Sequence, residues 1–178
     1  MKTGITGAAT ALAGLLSACG GGGDSGSGGG YSCAYMPGEV RSTSVATFCQ
    51  QCTTENPDAV ADRNQGSYAA AIVPLGQRTT TITDTYSGPG FPVGSKAGAL
   101  MSFLGGASVE SVTLTTLQDG VQRESFSGAA LSTTSTGGAT AATTYVWFET
   151  TLEFNSLQIV VNATSGNEFR IYEFCGDS

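Results

Sequence analysis

Residues 109–126, VESVTLTTLQDGVQRESF, decide the fold class of this chain. They contain two runs rich in Val, Leu, Thr and Phe, at 109–117 and 121–126, with Asp119-Gly120 between them. β-Branched and aromatic residues are enriched in strands, and Asp-Gly between two such runs is typical of a tight hairpin. The stretch therefore predicts two antiparallel strands joined by a short turn.

The same composition recurs along the chain, separated by clusters of Gly, Ser, Asn and Pro. Further runs of this kind lie at 67–73, 79–86, 143–149, 157–163 and 169–174. Val146 and Phe148 define one apolar face of a strand, whereas 98–104 suits a short helical turn and 31–48 a partly irregular lead-in. Seven or eight strands with turns at this spacing predict an all-β fold, an antiparallel β-sandwich or jelly roll of about 8 strands.

The N-terminal segment has the layout of a bacterial secretory signal. Lys2 precedes a short apolar run that ends in Leu-Ser-Ala-Cys at 16–19, and such a run before a small-residue cleavage site is typical of a signal peptide. These four residues resemble the lipobox of bacterial lipoproteins. The resemblance implies cleavage before Cys19, thioether lipidation of its sulfur and acylation of the new N-terminus, with palmitate as an expected chain. An ordinary signal peptide with an accidental cysteine is the alternative.

This segment predicts an anchor and not a membrane span. A transmembrane helix needs about 20 apolar residues, whereas the run at 4–18 is shorter and is followed by GGGGDSGSGGG at 20–30. Such a Gly-rich stretch is typical of a flexible tether. Gly20, where an Asp would favour inner-membrane retention, favours the outer membrane of a Gram-negative cell envelope. The predicted organisation is a signal peptide at 1–18, a lipidated Cys and linker at 19–30, and one β-sandwich domain at 31–178.

Charge and composition exclude several classes of function. Fourteen acidic against seven basic residues give a net charge of −7 with no basic cluster, which argues against nucleic acid and against electrostatic docking on anionic lipid. The chain has no histidine, so Ser-His-Asp and Cys-His nucleophiles and histidine zinc sites are excluded. We therefore expect no enzyme activity.

A small glycosidase that uses two carboxylates is the enzyme class that needs no histidine. Its two carboxyl groups would lie about 5–9.5 Å apart. Glu149 and Glu153 share one side of a continuous strand, but four residues separate them by about 13 Å. That pair does not fit, and pairs from different strands cannot be assessed in this way.

The four cysteines beyond Cys19 predict disulfides, as is usual for an even number in an exported domain. They are Cys33, Cys49, Cys52 and Cys175. The expected arrangement joins Cys175 to Cys49 or Cys52, with Cys33 taking the other. The Cys-x-x-Cys spacing also allows a redox pair, and four cysteines allow a metal site.

Two short segments resemble the galactose-binding-like, discoidin-type jelly rolls. They are NPDAVADRNQGSY at 56–68 and FRIYEFC at 169–175, which are similar to the Asn-Pro entry loop and the final Arg-x-Tyr-Glu-x-Cys strand of that family. The likeness would cover 49–175. The family places Gly after the aspartate, where a positive φ is often needed, and this chain has Arg63 there. Either the loop is rearranged or the register differs.

The resemblance also implies a structural calcium site. In such jelly rolls the early loop and a carboxylate of the final strand hold one Ca²⁺, which here names Asp62, the backbone of 66–68 and Glu173. Calcium takes six to eight oxygen ligands. The alternative is that Asp62 caps a turn while Glu173 pairs with an arginine such as Arg63.

The leading functional hypothesis is a lipid-anchored extracytoplasmic binding module that recognises a glycan or a protein surface. Candidate contact residues are the loop aromatics Tyr86 and Phe91, and the strand residues Tyr145 and Trp147. If the latter two face outward, they would form an aromatic platform suited to a sugar ring; core packing is the alternative. A structural envelope or surface lipoprotein with no small-molecule ligand is the second hypothesis.

Overall fold

The structure is a computed structural model that describes residues 34–136 and 142–177. These residues form three short 3₁₀ turns, of which Pro57–Ala61 matters below, and no α-helix. They form eleven strands: β1 (Gly38–Gln50), β2 (Thr53–Glu55), β3 (Ala69–Val73), β4 (Leu75–Tyr86), β5 (Lys96–Leu104), β6 (Val112–Gln118), β7 (Val121–Ser127), β8 (Ser132–Thr136), β9 (Thr143–Glu149), β10 (Ser156–Thr164) and β11 (Asn167–Asp177).

The strands form two antiparallel sheets packed face to face. The five-stranded sheet has the order β1-β4-β10-β6-β7, and the six-stranded sheet has the order β2-β3-β11-β5-β9-β8. Fully buried side chains from both inner faces make one core, for example Ile82 and Ile159 against Val146 and Ile171. The predicted all-β jelly-roll sandwich is confirmed, with eleven strands in place of about eight. All seven predicted strands are present.

Residues 98–104 belong to β5, so the predicted helical turn is wrong. The side chains of 97–102 are all buried, whichever face of the sheet they occupy. A strand buried on both faces is a continuous apolar run, and periodicity cannot distinguish such a run from a short buried helix.

The lead-in predicted to be partly irregular contains the thirteen-residue edge strand β1. β1 pairs with β4 along its whole length, with a bulge between Ala46 and Phe48. Most of its side chains are exposed on both faces, including Phe48 at 59%. Because neither face of most of β1 packs on the core, its sequence shows no alternation of polar and apolar residues.

The Asp119-Gly120 turn joins β6 to β7 as an antiparallel hairpin, as the sequence predicts. Asp119 has a φ of 53° and Gly120 a φ of 78°. A type I′ turn requires positive φ at both central residues. Asp tolerates that region better than most residues, and Gly adopts it freely.

The predicted disulfide arrangement is wrong, because Cys49 bonds to Cys52, with their Cα atoms 5.8 Å apart. Gln51 between them adopts a φ of 56°, and this sharp turn brings the two cysteines into range. Cys175 is disulfide-bonded as well, and hence to neither of these two. Cys33 lies outside the residues that the structure describes.

The predicted signal peptide at 1–18, Cys19 and the linker at 19–30 also lie outside the described residues. Within 34–136 and 142–177, no helix has the length and apolar character needed to cross a bilayer.

Candidate functional site

Tyr145 and Trp147 point away from the core on β9. Val146 and Phe148 alternate with them and belong to the buried core. Successive side chains of a strand point to opposite faces, so Tyr145 and Trp147 lie on the outer face of the six-stranded sheet. The two neighbouring strands at this point are β5 and β8, where Gly98 and Ser132 pair with Trp147.

The two aromatic residues differ in how open they are. Tyr145 is 0% exposed although it lies on the outer face, whereas Trp147 is half-buried. Their rings lie 6.3 Å apart and nearly parallel, at 13°. An open two-ring platform is therefore not what the structure contains. Trp147 is the ring that a ligand can reach, and Tyr145 is the surface against which it packs.

Polar groups hold the indole of Trp147 in place. Its Nε1–H donates a hydrogen bond to Thr134 Oγ1 at 3.3 Å, and Lys96 Nζ lies 4.8 Å from the centroid of the indole ring. Gly98 leaves room for the neighbouring ring, since a Cβ there would lie 2.5 Å from the Tyr145 hydroxyl oxygen. We call these five residues, Trp147, Tyr145, Lys96, Gly98 and Thr134, the tryptophan patch.

Tyr86 and Phe91 form a separate aromatic cluster with Phe154. Ring centroids lie 5.4 Å apart for Tyr86 and Phe91, and 5.0 Å apart for Phe91 and the fully buried Phe154. A Cβ at Gly176 would lie 2.3 Å from the Phe91 ring. Gly176 pairs with the inward-facing Ala97, so Phe91 lies on the inner side of the six-stranded sheet. The structure does not bring these loop aromatics to the tryptophan patch.

The loop after the 3₁₀ turn Pro57–Ala61 brings several oxygen atoms together. Asp62 Oδ1 accepts a hydrogen bond from the backbone N–H of Asn64 at 2.8 Å. Ser67 Oγ lies 2.6 Å from Asp62 Oδ2 and 2.8 Å from the Asn64 carbonyl oxygen. The Ser67 hydroxyl has one proton to donate. It therefore cannot form a full hydrogen bond to both the Asp62 carboxylate and the Asn64 carbonyl at the same time.

Arg63 has a φ of 61° in this loop. This is the left-handed region, which Gly adopts without steric cost and in which other residues are strained by about 1–2 kcal/mol. The positive φ thus falls at the position where the resembled pattern has Gly.

Glu173 of β11 is buried beside this loop, just after a bulge in the pairing of β11 with β5. It is 0% exposed, and within the described part of the chain neither carboxylate oxygen accepts a hydrogen bond of normal geometry, although the backbone N–H groups of Asn64 and Arg63 lie near. Burial, together with the charges of Asp62 and Asp84, raises the pKa of Glu173 to about 8. Backbone N–H groups of Asn64 and Arg63 act in the opposite direction. The alternative pairing with the Arg63 side chain is not observed among the described ion pairs.

These residues fit a calcium ion in chemistry, because calcium prefers oxygen ligands and two buried carboxylate oxygens lack partners. Among the residues described, no three His, Cys, Asp or Glu side chains cluster in a way that could hold a metal. Ligands beyond Asp62 and Glu173 would be neutral oxygens, such as the Ser67 hydroxyl and the Asn64 carbonyl.

Asp84 of β4 is a further buried acid that the sequence analysis missed. It is 0% exposed, neither of its oxygens accepts a hydrogen bond within the described ranges, and burial raises its pKa to about 7. A Cβ at Gly38 would lie 2.3 Å from Asp84 Oδ1. The alternation of residues in β4 could have identified it, because Asp84 lies on the same inward side of the strand as Thr80 and Ile82.

Comparisons with known proteins give distant likenesses. No protein-family model matches the chain, and no curated protein matches it. Among solved structures, it is similar to chitosan-binding module 1 of a chitosanase/glucanase from Paenibacillus sp. IK-5, with 13% identity, 83% of this chain and 100% of the other covered, and a TM-score of 0.45.

Two further similar structures come from Clostridium perfringens. The family 32 carbohydrate-binding module of NanJ in complex with galactose has 10% identity, coverage of 78% and 93%, and a TM-score of 0.43. Module CBM32-1 of a family 31 glycoside hydrolase has 16% identity, coverage of 82% and 98%, and a TM-score of 0.42. All three of these similar structures are carbohydrate-binding modules.

Proposed function

We propose that the protein is a lipid-anchored, extracytoplasmic module that binds glycans through the tryptophan patch. The observation that carries the proposal is the half-buried Trp147, the chain's sole tryptophan, fixed on an outer sheet face among hydrogen-bonding side chains. Aromatic rings offer a large apolar surface at low entropic cost, and nearby polar groups supply orientation. Sugar rings, which have apolar C–H faces and polar edges, match such a surface.

The surroundings of Trp147 suit that ligand. Thr134 fixes the indole by accepting its N–H, and Tyr145 supports it from the side without being exposed itself. Lys96 lies over the ring as a cation on a flexible four-carbon stem,. A stacking sugar would displace the ammonium to its rim, where it can donate to sugar hydroxyls.

A glycan microarray tests the proposal. The full chain carrying Cys19→Ala, which removes the acceptor of the proposed lipid, is compared with the same chain carrying Trp147→Ala. We expect binding to a subset of glycans, reduced at least tenfold by the second substitution. Val121→Ala removes another exposed apolar side chain and should change nothing. A fold-competent chain that binds no glycan would instead favour the structural-lipoprotein alternative.

The proposed anchor rests on the sequence at 16–19 and on the Gly-rich stretch that follows it. One thioether-linked lipid plus an N-terminal acyl chain would supply the two hydrophobic signals that stable anchoring requires. In bacteria fed labelled palmitate, we expect the label on the wild-type chain and its absence after Cys19→Ala. An unlabelled wild-type chain in the membrane fraction would contradict the anchor.

We also propose that the loop of Asp62 and the carboxylate of Glu173 hold a structural calcium ion. When bound, the ion would supply positive charge to carboxylate oxygens that otherwise have no partner. Asp62, Ser67 and Asn64 would fix the loop, and Glu173 would tie it to the centre of the six-stranded sheet.

Calcium should raise the melting temperature by several degrees at 1 mM relative to a chelator, because a ligand at a hundredfold excess over its Kd adds about 2.7 kcal/mol. Asp62→Asn should abolish the rise. Asp58→Asn is the matched control, since it removes an equal charge from an exposed position in the same segment. Equal melting temperatures with calcium and chelator would contradict the site.

A further inference from the structure

The outer face of the five-stranded sheet has a polar groove that no aromatic side chain lines. The depression measures about 440 Å³. Its walls come from β1, β4 and β10, and its lining includes Arg41, Thr43, Thr81, Thr83, Thr85 and Gln158. We call it the threonine groove.

Strand pairing holds the groove residues in a fixed array. Thr83 pairs with Arg41 on β1 and with Gln158 on β10, and Thr81 pairs with Thr43. Gln158 Nε2 donates a hydrogen bond to Thr83 Oγ1 at 3.0 Å. Threonine is β-branched and therefore stiff at χ1. The Thr83 hydroxyl is therefore held in place before any ligand arrives, and the strand pairing fixes the backbone positions of the other threonines.

The array is long enough for more than one sugar ring. Alternate residues of a strand lie about 6.7 Å apart, so the hydroxyls of Thr81, Thr83 and Thr85 span about 13 Å along β4. Each threonine offers a hydroxyl, which both donates and accepts, beside a methyl group. A pyranose ring offers the same combination of hydroxyls and apolar C–H groups.

Charge defines the class of ligand. The lining contains one acid and one base, Glu39 and Arg41, and they pair with each other at 2.9 Å. The groove is thus close to neutral in a chain with a net charge of −7. An anionic polymer would find one guanidinium that is already paired, and a cation would find one carboxylate.

Protein partners fit the groove less well. Protein interfaces draw most of their energy from buried aromatic and large apolar anchors, and no large apolar side chain lines this depression. A row of hydrogen-bonding side chains suits an extended ligand that carries hydroxyl groups along its length.

We infer that the threonine groove binds a neutral polysaccharide chain, as a second glycan-binding surface on the face opposite the tryptophan patch. This inference rests on the proposed function, glycan binding by the chain, and adds a separate site for an extended, uncharged ligand.

Affinity gel electrophoresis of the full chain with Cys19→Ala tests the inference, with soluble galactan, mannan or mixed-linkage β-glucan cast into the gel. The groove variant carries Thr81→Val, Thr83→Val and Thr85→Val, which remove three hydroxyls while keeping shape and strand preference. Thr113→Val is the control, because Thr113 lies on the same sheet outside the groove lining. Circular dichroism and melting curves verify that every variant is folded.

We expect retention by at least one polysaccharide, weakened at least tenfold in the groove variant and unchanged in Thr113→Val. Retention that survives the three valines but is lost in Trp147→Ala would overturn the groove and leave the proposed function standing. Retention by none of the three polysaccharides, together with an empty glycan array, would overturn both.

Discussion

The outer faces of the two sheets follow the same strand alternation but have different chemistry. On the six-stranded sheet the outward side chains of the central strands include Leu100, Ser102 and Tyr145, all at most 7% exposed. On the five-stranded sheet most of the corresponding side chains are polar, with Val160 an exception, and Thr83 and Thr85 remain accessible. The outer face of the six-stranded sheet is therefore covered at these positions, whereas Thr83 and Thr85 on the outer face of the five-stranded sheet are open to solvent.

This difference shows that the side of the sheet on which a residue lies and its exposure to solvent are separate properties, which a sequence pattern does not distinguish. Alternation states on which side of the sheet a residue lies, and it does so correctly for Tyr145. It does not state whether that side is covered, because coverage depends on neighbours that are distant in sequence. A residue can therefore be outward-facing and still be part of the packed structure.

The largest expected effect is the loss of stability in Tyr145→Ala. Truncating a fully buried aromatic residue costs about 3–5 kcal/mol, and Tyr145 is as buried as Phe148 on the inner face of the same strand. Tyr145→Ala and Phe148→Ala should therefore lower the free energy of unfolding by similar amounts in denaturant titrations. A cost below about 1 kcal/mol for Tyr145→Ala would mean that the outer face is an ordinary surface.

The inner face of the five-stranded sheet contains a buried acid, Asp84, whose charge also contributes to the raised pKa of Glu173. The folded-state pKa of Asp84, about 7, lies above the unfolded value of 3.8, so the folded state binds its proton more tightly. The stabilisation is fully present below pH 4 and is lost as the pH rises through 7.

Between pH 8 and pH 5, with a chelator present, this carboxyl should add about 2–3 kcal/mol to the free energy of unfolding. Asp84→Asn, which keeps the shape without the charge, should remove that part of the pH dependence and stabilise the protein at pH 8. Equal pH profiles for the two proteins would show that Asp84 does not titrate in this window.

A smaller effect is expected for Trp147→Ala, because part of the indole is already in contact with water. About 1–2 kcal/mol of unfolding free energy should be lost, well below the cost for a core aromatic. Urea midpoints of this variant and of Tyr145→Ala give the difference directly. A cost equal to that of Tyr145→Ala would indicate a structural residue and would weaken the proposal of a binding role.

The smallest effect is expected in the threonine groove. Thr83→Val keeps the β-branched shape on an accessible face, so stability should change by no more than about 0.5 kcal/mol. A thermal melt within about 2 °C of wild type would fulfil this expectation. A loss above 1 kcal/mol would mean that the hydrogen bond from Gln158 belongs to the framework of the sheet.

The sequence predicted the fold class because most of its strands have one buried and one open face. β10 shows the alternation that this geometry requires, and the Asp119-Gly120 turn fixed one hairpin. β5 was missed because it is buried on both faces, and β1 because most of it is exposed on both. Pattern analysis fails at these two extremes for the same physical reason, since neither has a polar side and an apolar side.

The candidate site was predictable only in part. Residue types indicated Trp147, Asp62 and Glu173, and strand alternation indicated the outward position of Trp147, whereas the bulge between Ile171 and Glu173 could not be read from the sequence. The threonine groove was not predictable, because it needs the register of β1, β4 and β10, which are more than seventy residues apart in places. The Cys49–Cys52 bond was misassigned because its formation depends on the local turn at Gln51.

The position of β11 has a consequence for how the protein is made. This strand lies between β3 and β5 in the middle of the six-stranded sheet, yet the ribosome delivers it after both of them. Until β11 emerges, β3 and β5 expose unpaired edges to each other across a gap that nothing else can fill, and pairing of this long range is slow. A nonsense mutation just before Asn167 would therefore remove the centre of the sheet and leave a nascent chain in need of chaperones.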